Sequence, residues 1–249
     1  MSGHSKWATI KRKKAATDQA RGKMFSKYIK EITIAARMAG GDTETNPRLR
    51  TAIAAAKSVN MPASNIERAV KRGTGEIEGA TYEEAQYEGY APGGVALLVE
   101  IATDNRNRTA GDIRHVFTKY GGALAEAGSV SYLFKPRGVI AVEKSAVTED
   151  ALIEVVLDAG ADDVQAGGDG YEVLTPPGRL EAVKAALVAR NVPVQSAEVT
   201  KLASLQVPVS EKEAAAVLRL VDALEDHDDV LRVYSNFSAS DDVLAKLSG

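Results

Sequence analysis

The stretch GVIAVEKSAVTEDALIEVVLDAGADDVQAGGDGYEVLTPPGRLEAVKAALVARNVPVQSAEVTKL, residues 138–202, decides the fold. Its apolar residues predict four strands, over residues 139–143, 163–166, 171–175 and 194–202. Helical spacing of apolar residues predicts two helices between them, over residues 149–159 and 179–189. The resulting order, β-α-β-β-α-β, predicts one complete ferredoxin-like unit.

The residues on either side of this stretch continue the mixture of strands and helices. The preceding part predicts strands over 85–90, 95–103 and 130–134, with a helix over 107–120. The following part predicts strands over 205–209 and 230–237, with a helix over 211–224 that begins at a Ser210–Glu213 capping box. These flanks form a second ferredoxin-like unit if the first is inserted in its middle.

Residues 1–75 predict helices only, and residues 74–81 predict a linker. Phe25, Ile29, Ile32 and Ala36 form one apolar stripe in a helix over residues 17–39. Asn46-Pro47 is a typical helix start, and Ser64 with Glu67 predicts a capping box for a third helix that Gly73 ends. The predicted fold class is α+β with three domains. They are an N-terminal helical bundle (1–80), a discontinuous ferredoxin-like domain (81–135 and 204–249) and an inserted ferredoxin-like domain (136–203).

Charge divides the chain at the end of this helical region. Residues 1–75 contain 16 Lys and Arg against 5 Asp and Glu, a net charge of +11. Residues 76–249 contain 15 against 29, a net charge of −14, so the overall value of −3 conceals the division. A concentrated positive region is typical of a protein that binds nucleic acid. The acidic remainder of the chain should repel such a partner.

Basic side chains that could contact phosphates are dense near the N-terminus, where an indole lies among them. The predicted nucleic-acid-binding residues are Lys6, Trp7, Lys11, Arg12, Lys13, Lys14, Arg21, Lys23, Lys27, Arg68, Lys71 and Arg72. A second phosphate contact could form at Arg106 and Arg108, where a strand ends and a helix begins. The alternative is that these two arginines pair with local acids.

Chemistry of other kinds has little support in the sequence. The chain contains no cysteine, which excludes disulfides, thiolate metal sites and cysteine nucleophiles. No nucleophile elbow, P-loop or dinucleotide-binding fingerprint is present. The acidic run Glu225–Asp229 could form a cation site, but a solvated loop is the expected structure. We therefore predict a protein that is not an enzyme and that uses no cofactor, metal or small-molecule substrate.

Several motifs resemble the YebC/PmpR family over essentially the whole chain. They are MSGHSKW (1–7), FSK (25–27), KEI (30–32), NPRLR (46–50), NMP (60–62), NIERA (65–69), YEGYAPGGV (87–95), TDNRNRT (103–109) and GSV (128–130). The resemblance implies three domains, one inserted in another, in a cytoplasmic transcriptional regulator that binds DNA. It also implies an alternative, because related proteins act on the ribosome and assist translation of difficult, proline-rich stretches.

The predicted function is therefore non-enzymatic, DNA-binding transcriptional regulation through the basic N-terminal domain. The alternative is a translation factor whose partner is the ribosome or ribosomal RNA. The irregular basic arm favours RNA on physical grounds, because structured RNA is recognised through its shape and its backbone. We expect a cytoplasmic protein with no membrane partner, since no apolar run approaches the ~20 residues that span a bilayer.

Overall fold

The computed structural model describes residues 18–167 and 170–248, which divide into two compact units. The first unit comprises residues 18–129 and 215–233, and the second comprises residues 130–214 and 234–248. Both contain helices and a sheet, so the predicted mixed fold class is confirmed. The three predicted domain boundaries stay a prediction.

Three helices open the first unit: α1 (Asp18–Ala39), α2 (Pro47–Ser58) and α3 (Ala63–Thr74). The predicted start of α2 is confirmed, because the Asn46 side chain accepts a hydrogen bond from the Leu49 backbone N–H at 3.0 Å. The apolar stripe of α1 packs on the other two helices. The buried core residues are Ile32, Ala35, Ala36, Leu49, Ala52, Ala56, Met61, Ile66 and Ala69.

Two details of α3 differ from the prediction. No side chain caps its N-terminus, so the predicted capping box at Ser64 is wrong. Gly73 lies inside the helix, which ends instead at Gly75 with a left-handed φ of +83°. A Cβ at position 73 would lie 2.5 Å from the Thr33 carbonyl oxygen and 2.6 Å from the Ala36 Cβ. Glycine is needed there because α3 approaches the backbone of α1 closely.

A four-stranded sheet completes the first unit, in the order β3-β1-β2-β9. β1 (Glu83–Ala91) and β2 (Val95–Thr103) form an antiparallel hairpin, and helix α4 spans Arg106–Lys119. β3 is the short pair Ala123–Leu124, and β9 spans Val230–Ser235. β2 is almost fully buried, which explains its continuous apolar sequence.

The second unit contains the ferredoxin-like arrangement that the sequence predicts. Its elements are β4 (Phe134–Glu143), α5 (Glu149–Asp158), β5 (Asp163–Gly167), β6 (Gly170–Thr175), α6 (Leu180–Ala189) and β7 (Val194–Ala203). The strands pair antiparallel in the order β5-β6-β4-β7. Ile140, Val142 and Val173 of the sheet belong to one buried core with Leu152 of α5 and Leu187 of α6.

The remaining elements are short strands and two helices. β8 (Val207–Pro208) pairs in parallel with β10 (Phe237–Ser238), so the predicted strand over 205–209 is only two residues long. The strand predicted over 130–134 is wrong, because residues 131–133 form a 3₁₀ turn before β4.

Helix α7 spans Glu211–Glu225, and α8 spans Asp241–Ser248. The capping box predicted for α7 is confirmed, since Glu213 accepts a hydrogen bond from the Ser210 backbone N–H at 2.9 Å. No helix in the described part of the chain combines the length and apolarity that crossing a bilayer requires.

Candidate nucleic-acid interface

The most concentrated group of predicted phosphate contacts precedes α1. These residues lie outside the described part of the chain: Lys6, Trp7, Lys11, Arg12, Lys13 and Lys14. The Arg21 backbone lies in the first turn of α1, whereas its side chain is also outside the description. The prediction for this basic arm, residues 6–14, therefore stays a prediction.

Three lysines of α1 contact the protein's own acidic turn, Glu225–Asp229. Lys23, Lys27 and Lys30 follow each other by four and three residues, a spacing that places them on one face of the helix. The Lys23 ammonium lies 2.7 Å from the Asp226 carboxylate, and Lys27 donates to the Glu225 carbonyl at 2.6 Å. The second acceptor lies at the C-terminus of α7, where helix carbonyls lack intrahelical partners. Two of the predicted phosphate-contacting lysines thus bind protein oxygens.

Asp229 accepts hydrogen bonds from two cations and two hydroxyls. Lys30 approaches one carboxylate oxygen at 2.6 Å, and Arg108 and Thr109 each approach the other at 2.7 Å. Thr103 donates to that second oxygen at 3.1 Å. Because Asp229 is only 5% exposed, the expectation of a solvated loop is wrong at this residue.

Opposing effects act on the pKa of the Asp229 carboxyl. Burial raises this pKa, whereas hydrogen bonds from Lys30, Thr109 and Arg108 lower it. The hydrogen bonds prevail, and they hold the pKa of Asp229 well below its usual range. Asp229 is therefore a buried anion that joins α1 to the start of α4.

The two arginines at the start of α4 have different environments. Arg108 also contacts the Asp104 carboxylate at 2.9 Å, and hydrogen bonds to Asp229 and then Asp104 raise the pKa of its guanidinium. This geometry matches the alternative in which the arginine pairs with local acids. Arg106 is exposed, and its backbone carbonyl accepts a hydrogen bond from the Tyr87 hydroxyl at 3.5 Å. Arg106 therefore stays the more accessible of the two cations.

The basic residues of α3 vary in accessibility. Arg68 is exposed and donates to the Asn65 side chain at 2.6 Å, while Lys71 lies 2.7 Å from Glu67 one turn earlier. The hydrogen bond to Glu67 raises the pKa of Lys71. Because such exposed pairs are weak, a phosphate can replace the carboxylate. Arg72 is half-buried, and its Nε has no hydrogen-bond partner in the described structure.

The predicted contacts omit some exposed cations of the helical region, among them Lys57. Lys57 lies in the last turn of α2, and its side chain has no hydrogen bond or ion pair within residues 18–167 and 170–248. Its isolation from other basic residues along the chain hid it. Lys57, Arg68 and Lys71 are thus among the weakly held cations of these helices.

No group of three or more His, Asp or Glu side chains that could hold a metal occurs within the described ranges. His227 of the acidic turn accepts a hydrogen bond from the Asp229 backbone N–H at 3.1 Å and lies 3.4 Å from Asp112. Its ring therefore supports the local structure of the turn.

Family models match nearly all of the chain. Residues 5–76 match the model described as the TACO1/YebC protein N-terminal domain. Residues 82–237 match the model described as the TACO1/YebC second and third domain.

Similar proteins of known sequence span the full length of the chain. A protein of Desulfatibacillum aliphaticivorans is 56% identical over 99% of this chain and 100% of its own length. A protein of Syntrophobacter fumaroxidans is 55% identical over 100% of both chains. Both are named "probable transcriptional regulatory protein".

A similar protein of known structure is a conserved hypothetical protein of Aquifex aeolicus, solved by crystallography. It is 49% identical, with 90% of this chain and 93% of that chain covered at a TM-score of 0.79. This similarity supports the fold described above.

Proposed function

Because the chain belongs to the TACO1/YebC family, we propose that it is a cytoplasmic regulatory protein that binds nucleic acid through its basic N-terminal region. The binding requires no catalysis. Transcriptional regulation through DNA is the first form of this proposal, and the names of its relatives support it.

One observation carries the proposal, the concentration of positive charge in residues 1–75. Their net charge is +11, whereas the rest of the chain has a net charge of −14. Lysine and arginine that neutralise phosphates release condensed counterions, so a basic region of this density favours a polyanion. The interface we propose comprises the arm residues, Arg21, and the exposed cations Arg68 and Lys71 of α3. Lys23 and Lys27 instead hold the acidic turn.

A second form of the proposal is a translation factor that binds ribosomal RNA. The lysine face of α1 is engaged by the acidic turn, so it is not available as a cationic recognition helix for the DNA major groove. A basic arm that contacts backbone phosphates suits structured RNA, which proteins recognise mostly by shape and phosphate contacts. The alternative partner is therefore the ribosome.

The decisive variant replaces Lys11, Arg12, Lys13 and Lys14 by alanine. Because four phosphate contacts are lost, we expect affinity for nucleic acid to fall by about 100-fold or more, and the salt slope to fall by about 1 per lost contact. Binding is measured by fluorescence anisotropy across a salt series, on a promoter fragment and on random DNA.

The matched control removes four lysines or arginines from the second unit, at Lys184, Arg190, Lys212 and Lys246. If both variants lose the same affinity for nucleic acid, net charge alone explains the loss, and the proposed interface is contradicted. Cosedimentation with ribosomes separates the two partners. If the protein cosediments strongly with ribosomes and binds the promoter no better than random DNA, transcriptional control is contradicted and the ribosomal form is supported.

A further inference from the structure

The sheet of the second unit has one face away from α5 and α6 that carries two cations. Ile140 and Val142 of β4 point into the core below the helices. Because side chains alternate along a strand, Lys135 and Arg137 lie on the opposite face. β4 also continues beyond β6, since the last β4–β6 pair is Gly138–Thr175 while the β4–β7 pairs continue to Phe134. The two cations therefore stand on a part of β4 that β6 leaves open.

A depression of about 180 Å³ lies at this place. Lys135, Arg137 and Gln206 supply its hydrogen-bond donors, and Leu174 and Leu202 supply apolar surface. Its described lining includes two cations and no carboxylate. This balance of charge favours an anionic group.

The cations of the depression are weakly engaged by the protein. The Lys135 side chain makes no hydrogen bond or ion pair with the residues that the structure describes. Arg137 has a single carboxylate neighbour, Asp162, at 3.9 Å, and both side chains are nearly half exposed. An exposed pair at that distance contributes little, so the guanidinium fork remains able to bind two oxygens of a ligand.

We propose that this depression binds a backbone phosphate of the nucleic acid that the basic N-terminal region holds. The inference rests on the proposed function. Arg137 offers two parallel donors to the phosphate oxygens, Lys135 supplies a point charge, and the Gln206 side-chain amide completes the donors. The apolar floor receives the adjoining sugar.

The size of the depression favours a phosphate on a polymer over a separate small ligand. Sites for small molecules enclose about 300–1,000 Å³ and bury most of the ligand. A shallow site of this volume gives little affinity alone, but a polymer bound elsewhere on the same chain reaches it at high effective concentration. Residues 76–249 carry a net negative charge, so a depression with two cations and no lining carboxylate is a place where nucleic acid can approach them.

The test compares the variant Lys135→Gln/Arg137→Gln with the control Arg190→Gln/Lys212→Gln, both in the full chain. Each removes two positive charges from exposed positions of the second unit. Anisotropy is measured with single-stranded RNA and DNA 20-mers of the same base order across a salt series. We expect the depression variant to bind about 10-fold more weakly, with a salt slope smaller by about 1–2, and the control to change by less than about 2-fold. Equal loss for RNA and DNA identifies phosphate as the shared ligand, and loss confined to one identifies that polymer.

A second measurement probes the depression without the N-terminal interface. Nuclear magnetic resonance follows the amides of Ala203, Ser204 and Gln206 in the wild type while the dinucleotide UpU or a tetraglutamate peptide is added. Shifts with UpU that disappear in the depression variant support the phosphate site. Shifts with the peptide alone would overturn it in favour of an acidic peptide.

Failure of this inference differs from failure of the proposed function. Wild-type affinity in the depression variant, together with no response to UpU, would remove the depression from the interface while the arm variant still loses binding. A response to UpU in a protein whose affinity ignores the arm substitutions would instead contradict the N-terminal interface and keep the phosphate site.

Discussion

The lysines of α1 lie in a basic part of the sequence but contact acidic residues, whereas the cations of β4 lie in an acidic part but are weakly bound by the protein. Lys23, Lys27 and Lys30 belong to the basic end of the chain, yet each contacts an oxygen of the acidic turn. Lys135 belongs to the acidic part, yet it makes no ion pair within the described residues. The local density of charge in a sequence therefore does not tell which cations are available to a ligand.

Tertiary pairing accounts for this difference. The C-terminus of α7 and the acidic turn bring backbone carbonyls and carboxylates to the lysine face of α1. The open end of β4 meets amides, a hydroxyl and apolar side chains instead. Three variants and a pH series test the contrast, from the largest expected effect to the smallest.

The largest effect is expected for Asp229→Asn. The amide cannot replace the charge that Lys30 and Arg108 share, so two cations are left without their buried partner. Removing one partner of a buried ion pair costs about 3–5 kcal/mol, which urea unfolding monitored by circular dichroism measures. Asp226→Asn is the control, because its pair with Lys23 is exposed and should contribute at most about 1 kcal/mol. Similar losses for both variants would show that the acidic turn is not anchored at Asp229.

A smaller loss is expected for Gly73→Ala, which tests whether the basic region is a packed bundle. The added methyl group meets the Thr33 carbonyl and the Ala36 side chain and must push α3 from α1, at about 1–3 kcal/mol. Gly22→Ala is the control on α1, because a Cβ added there has no described atom within 4 Å beyond its chain neighbours and its own helix backbone, and alanine favours a helix by about 1 kcal/mol over glycine. The two variants should move the unfolding midpoint in opposite directions. A stabilising Gly73→Ala would contradict the close approach.

The pH dependence of stability should report the same buried anion. The Asp229 carboxyl has a lowered pKa when folded and an ordinary pKa near ~3.9 when unfolded. Ionised Asp229 therefore stabilises the fold fully above the pKa of the unfolded state. This stabilisation is lost as the pH falls toward the pKa of the folded state, by up to about 1.4 kcal/mol per pH unit.

The free energy of unfolding, measured at pH 3, 4, 5 and 7, should fall more steeply toward low pH in the wild type than in Asp229→Asn. Glu31 acts in the opposite direction, because burial outweighs the nearby Arg232 and raises its pKa, so protonation of Glu31 favours the folded state. Parallel pH curves for the wild type and Asp229→Asn would contradict a charged Asp229 in the fold.

The smallest effect is expected for Lys23→Gln/Lys27→Gln. Both side chains already bind protein oxygens, so we expect nucleic-acid affinity to change by less than about 2-fold with an unchanged salt slope. Anisotropy beside the Lys135→Gln/Arg137→Gln variant makes the comparison direct. A salt slope reduced by about 2 would return the two lysines to the interface.

Elements with a strong periodic pattern were predictable, and short or context-dependent ones were not. The β-α-β-β-α-β unit follows from apolar residues at strand and helix spacing, each of which must face one core. The short strand Ala123–Leu124 carries no such pattern and forms because β1 presents an edge to it. Gly73 was misassigned because a glycine that ends a helix and a glycine that permits a close approach look alike in sequence.

The sequence by itself determined the division of charge, the helical start, the ferredoxin-like order and the membership of the family. These depend on composition, spacing and motifs, which are properties of neighbouring residues along the chain. Only the tertiary structure decided that Asp229 binds both Lys30 and Arg108, about 200 and 120 residues away, and that Lys135 stands in an open depression. Ion pairing depends on distance in space and on exclusion of water, and folding sets both by joining segments that are remote in sequence.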